Sequence, residues 1–172
     1  MGKDNINEYN KKFENEDFTI YENDKDDLKI IFKQTTLKNY NHLIKNVLIY
    51  QGKEELFNEQ KYNKSLKQAD FIINKYKQDK NISISGFSLG GVMALFLGMV
   101  HPEIKTNVYS PVLPKNDLWD SLINKHQEWE NIKIYSVEGD AISRHLKDYK
   151  GKLPIFERKK KDLLSHHDLN NF

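Results

Sequence analysis

Gly86-Phe87-Ser88-Leu89-Gly90 is the segment of this sequence whose residue types and spacing point most directly to chemistry. A serine hydroxyl becomes a nucleophile when a neighbouring base takes its proton and preformed donors receive the oxyanion growing on the attacked carbonyl. G-x-S-x-G spacing meets the positional half of that requirement. It sets the serine on a sharp turn between a strand and a helix, with glycines that let the backbones pass without a Cβ clash. Three fixed positions say little alone, so the flanks decide: strand-like Ile82-Ser83-Ile84-Ser85 precedes the motif and an apolar run from Gly91 to Val100 follows it. A glycine-rich turn that merely caps a buried helix is the competing reading, and the strand–turn–helix context weighs against it. The N–H groups and positive dipole end of the following helix face the developing charge. The backbone N–H of Leu89 is the natural first oxyanion donor, whatever its side chain.

An elbow of this kind needs a sheet beneath it. Phe18 to Tyr21 and Leu28 to Phe32 read as a short antiparallel pair at a sheet edge, joined by the turn-prone cluster Asn23-Asp24-Lys25-Asp26. Asn46 to Tyr50 is a further short β-prone run. From Asn63 to Asp79, Leu66, Ala69, Ile72, Ile73 and Tyr76 fall at helical spacing, with Asn63 or Ser65 available as a cap. Asn81 to Ser85 reads as a strand, and the helix from Gly91 to Val100, apolar nearly all round, ends at His101-Pro102. Two more strands, Thr106 to Ser110 and Ile132 to Val137, are separated by a loop with Pro111 and Pro114 and a helix from about Asp117 to Gln127. Lys159 to Asn170 closes the chain, helical at least in part. This alternation predicts an α/β fold with a mostly parallel central sheet flanked by helices. A length of 172 residues fits one domain over 1–172. Roughly the first 15 residues are expected to be flexible.

Composition removes several other chemistries. Charged residues make up 30% and hydrophobic ones 38%, which leaves a solvated surface over enough apolar material for one core. Net charge is only +2, and Arg144 and Arg158 are the only arginines, so a nucleic-acid partner has little electrostatic support. The absence of cysteine excludes disulfides, thiolate metal sites and a cysteine nucleophile together. Met1 to Asn10 is polar, without the apolar core of a signal peptide, and no stretch has the length of a membrane span, so the expected location is cytoplasmic. His42, His101, His126 and His145 stand singly and read as surface residues, with no H-E-x-x-H pair for zinc. Arg158-Lys159-Lys160-Lys161 reads as a solvated helix start that could touch a membrane surface transiently.

With these elements in order, the chain resembles the class 3 lipase family of α/β hydrolases from about residue 28 to its C-terminus. Gly86-Phe87-Ser88-Leu89-Gly90-Gly91 is similar to the family's G-[HF]-S-L-G-G, and Val108-Tyr109-Ser110-Pro111 to its next strand, which ends near a small residue and proline. Ile30-Ile31-Phe32-Lys33-Gln34-Thr35 occupies the place of the strand ending in F-R-G-T, with Lys33 and Gln34 where the family has Arg and Gly. Gly139-Asp140-Ala141-Ile142 resembles its G-D-P-V, and His167-Asp168-Leu169-Asn170-Asn171-Phe172 its terminal H-[SD]-[LM]-x-N-[YF].

The resemblance implies an α/β-hydrolase-type fold and a triad of Ser88, Asp140 and His167, with His167 favoured over its neighbour His166 as base. Thr35 would then supply the second oxyanion contact. It implies acyl transfer through an acyl-enzyme on an ester with a lipid-like acyl chain, without metal or cofactor. Little sequence separates the first strands from the elbow, which leaves scant room for a large lid and keeps a plain esterase on small esters open. An acyltransferase, or a catalytically inactive domain of this fold that binds lipid or protein, stays open as well.

Overall fold

The computed structural model describes residues 8–33, 61–111, 113, 123–124, 129–137, 146, 149 and 153–158. Among them, seven strands form one sheet in chain order: β1 (Tyr9–Glu14), β2 (Phe18–Asn23), β3 (Leu28–Phe32), β4 (Ile82–Phe87), β5 (Lys105–Tyr109), β6 (Ile132–Val137) and β7 (Ile155–Arg158). β2 pairs antiparallel with both β1 and β3, and β3 to β7 are all parallel. Helix α1 (Lys61–Tyr76) lies between β3 and β4, and α2 (Leu89–Val100) between β4 and β5. The expected α/β class and mostly parallel sheet are borne out.

Alternation within the strands explains the layering. In β3, Leu28, Ile30 and Phe32 are buried while Lys29 and Ile31 are only partly so. Parallel pairing sets Leu28 opposite Ile82, Ile30 opposite Ile84 and Phe32 opposite Gly86, and the row continues through Val108 to Ile134. One face of the sheet is therefore a continuous apolar surface. Parallel strands that advance in chain order through right-handed crossovers send their connections to the same face, and α2 packs on β3, β4 and β5 with α1 against it. Every residue of α2 from Leu89 to Gly98 is buried, as its all-round apolar sequence requires. Each large side chain it removes from water contributes about 1.5–3 kcal/mol. On the other face Tyr109, Tyr135 and Phe156 form a cross-strand aromatic row, with ring centroids 5.2 and 5.6 Å apart. No helix among the described residues is long and apolar enough to cross a membrane.

The β2–β3 turn forms where the polar cluster predicts it. Asn23 Oδ1 accepts from the N–H groups of Lys25 and Asp27 at 2.9 Å, Asp26 adopts φ 61°, and Lys80 bridges Glu22 and Asp26. The structure adds to or departs from the sequence reading at three places. Helix α1 begins at Lys61, so Asn63 and Ser65 lie inside it rather than at its cap, and the Ser65 hydroxyl instead donates to Asp17 Oδ2 at 2.6 Å. Tyr9–Glu14, within the stretch expected to be flexible, forms β1: its backbone pairs with β2 around a bulge between Lys11 and Phe13, and Phe13 packs on the core. Ile155–Arg158 joins β6 as an additional parallel strand. The runs at 46–50 and 159–170 lie outside the described residues, as does all but Ile123 and Asn124 of the helix expected at 117–127.

Candidate active site

The parallel strands end side by side, and the ends of β3, β4 and β5 bring Lys33, Ser88 and Ser110 to one rim of the sheet. Ligands of open α/β sheets collect at such carboxyl ends. Ser88 follows β4 directly with φ 57° and ψ −121°, a conformation that belongs to neither strand nor helix and is costly for a residue with a Cβ. Its N–H donates to the carbonyl of Tyr109 at 3.0 Å, which fixes the turn to β5. The residue is only 5% exposed, and although Ser88 stands at the N-cap of α2, its hydroxyl makes no capping bond. Serines at N-caps ordinarily use the hydroxyl that way.

Glycines make the turn possible by what they leave out. A Cβ on Gly86 would lie 2.2 Å from the carbonyl oxygen of Gly90, and one on Gly90 would lie 2.4 Å from that of Lys33 and 2.6 Å from that of Phe32. The strand, the helix start and the neighbouring strand end are thus in backbone-to-backbone contact. Leu89 is the first residue of α2, where N–H groups have no partner within the helix. No acidic side chain in that first turn neutralises the positive end of the helix dipole. Chemically, the arrangement offers a serine hydroxyl beside backbone donors that have no partner within the helix, on a closely packed turn.

The burial of further polar groups was not legible in the sequence. Ser110, at the end of β5, takes φ 40°, is fully buried and donates its N–H to the Tyr135 carbonyl at 2.7 Å. Its Oγ is buried without a hydrogen-bond partner among the described residues. Asp17 is 2% exposed, and burial pushes its carboxyl above the usual range against the pull of the Ser65 hydroxyl and the Lys33 charge. His101, expected at the surface, is instead buried at the C-terminus of α2, with Nε2 2.7 Å from Asp70 Oδ1. A partner 31 residues earlier in the chain satisfies the ring and makes that burial tolerable.

Of the expected site residues, the structure brings together Ser88 and Leu89. Thr35, Asp140, His166 and His167 lie outside the described residues. Strand β6, from which Asp140 follows by three positions, ends at Val137 beside β5.

No curated protein matches the chain. A family model described as "Putative esterase" matches residues 38–145, more than half of the 172. The matched stretch contains Ser88 and Asp140, begins after Thr35 and ends before His167. It supports the α/β-hydrolase-type esterase at the level of ester hydrolysis and does not single out the class 3 lipases. On the matched sequence and the sheet that carries its elbow, the chain belongs to this esterase family.

Proposed function

We propose that this protein hydrolyses carboxylic esters of lipid or small-ester type by two-step acyl transfer, with Ser88 as nucleophile. The observation that carries the reading is the backbone of Ser88, held at φ 57° between β4 and α2 with its hydroxyl free of the helix cap. Strain of this kind persists where the surroundings over-determine it, and it gathers at functional sites. Ser88 Oγ attacks the ester carbonyl while His167 takes its proton, and the tetrahedral oxyanion is received by the N–H of Leu89 with help from the segment of Thr35. Collapse expels the alcohol, which takes the proton back from His167. Water then attacks the acyl-Ser88 ester with the same histidine as base. Collapse breaks the bond to Ser88 Oγ and releases the carboxylic acid as His167 returns the proton to Ser88, and Asp140 holds the imidazole in the required tautomer.

The class 3 lipase resemblance favours a lipid-like acyl chain, and the match to an esterase family keeps small, soluble esters open. Turnover of p-nitrophenyl esters of increasing chain length separates the two. Wild type is expected to hydrolyse a short ester and Ser88→Ala to lose at least about a thousandfold in kcat. Equal turnover by Ser88→Ala would remove the proposal, and transfer to an added alcohol in preference to water would reassign the enzyme as an acyltransferase.

A further inference from the structure

The turn joining β1 to β2 reaches the elbow through Lys33. Lys33, which stands where the resembled family has arginine, is tied to this turn by three hydrogen bonds. Its N–H donates to the Asp17 carbonyl at 2.8 Å, and its Nζ donates to the Asn15 carbonyl at 2.8 Å and to Glu14 Oε1 at 2.6 Å. The turn is itself braced. Asn15 Oδ1 accepts from the N–H groups of Asp17 and Phe18 at 2.8 Å, Asn15 Nδ2 donates to Gln68 at 3.3 Å, and Asp17 accepts from Ser65, so that both residues lean on α1. Opposite this anchor, the carbonyls of Phe32 and Lys33 lie against Gly90, where a single added methyl would collide with both. Any displacement of the β3 exit is therefore passed to the first turn of α2, whose N–H groups face Ser88.

We propose that Lys33 is a positioning residue for the Ser88 reaction: anchored to the β1–β2 turn, it fixes the exit of β3 against Gly90 and so sets one wall of the oxyanion site. The proposal rests on the reading of Ser88 as nucleophile. The ammonium acts through the backbone it holds, two of its three donors being committed to Glu14 and the Asn15 carbonyl. Its bond to Glu14 lies near solvent and is weakened by salt, so the part-buried bond to the Asn15 carbonyl carries most of the restraint. Loss of an oxyanion donor costs roughly a hundred- to a thousandfold in kcat, and a donor held loosely costs part of that.

The test is steady-state hydrolysis of p-nitrophenyl butyrate by the full chain, well below the melting temperature of every variant. Lys33→Met is expected to lower kcat about tenfold with KM within about twofold, and Lys33→Arg, which keeps donors in reach of the turn, to restore most of it. Lys33→Gln, with a shorter single donor, is expected to fall between them and stands in should Lys33→Met not fold. A folded Lys33→Met or Lys33→Gln with wild-type kcat, or a loss that Lys33→Arg does not repair, overturns the proposal. Ser88→Ala, measured alongside, separates the two claims. If it is inactive while Lys33→Met retains full kcat, only the role of Lys33 falls; if it remains active, or wild type leaves the ester intact, both fall.

Discussion

The backbone N–H of Ser88 donates to the carbonyl of Tyr109 across 3.0 Å, so the turn that carries the proposed nucleophile is fastened to the neighbouring strand as well as to its own. Gly86 and Gly90 close the same turn from the other side, each packed against backbone atoms. The elbow is a three-way junction of β3, β4 and β5, and its rigidity comes from close approach.

A methyl group at that junction has nowhere to go. Gly90→Ala puts a Cβ 2.4 Å from the Lys33 carbonyl oxygen, and backbone must move to admit it. Thermal denaturation should show a loss of about 1–3 kcal/mol, the usual range for overpacking, together with loss of ester turnover. A variant as stable and active as wild type would contradict this close packing.

Ser110 should respond in the opposite direction. Its φ of 40° costs stability, and so does its buried Oγ, which has no partner among the described residues. Ser110→Gly removes both costs and should raise stability by about 1 kcal/mol, offset in part by the added freedom of glycine in the unfolded chain. Ser110→Ala, which removes only the orphaned hydroxyl, should be neutral or slightly stabilising. A clear drop in melting temperature for Ser110→Ala would mean that the hydroxyl has a partner.

Acid stability should depend on Glu14. Hydrogen bonds from Lys11 and Lys33 hold its carboxyl at about 2, below its ordinary 4.5. A folded-state value below the unfolded one stabilises the protein above the unfolded value, and that contribution is lost as pH falls through the folded value. Urea denaturation should therefore show wild type ahead of Glu14→Gln at about pH 5, with the gap narrowing as pH falls through the window between those two values. Asp17 works with the opposite sign, because its raised value favours folding at low pH and the benefit fades as pH rises through it. A gap between wild type and Glu14→Gln that stays constant from about pH 5 into that window would contradict the pairing.

Burial is the property that residue order records most plainly in this chain. β3 alternates Leu28, Ile30 and Phe32 with less buried neighbours, and α2 is apolar without a break, so residue order alone places both. It does not place β1. Tyr-Asn-Lys-Lys-Phe-Glu is an edge strand whose exposed residues carry no alternation, and backbone pairing with β2 decides its state. Asn63 and Ser65 read as caps in the sequence because both are cap-forming residue types, whereas the helix starts at Lys61, before either of them. The burial of His101 depends on Asp70, and the braces on Lys33 depend on Asn15 and Asp17, partners joined by folding alone. Residue types also do not report φ, so nothing in Val-Tyr-Ser-Pro announces the strained backbone of Ser110. The elbow is different, because glycine spacing and its strand and helix flanks are both written locally.

The most direct measurement is covalent. Intact wild-type protein incubated with a fluorophosphonate at neutral pH, then digested and mapped by mass spectrometry, should carry one adduct, on Ser88. Ser88→Ala should carry none. Protein that stays unlabelled while folded, or an adduct on any other residue with Ser88 unmodified, would contradict the assignment of Ser88 as the nucleophile.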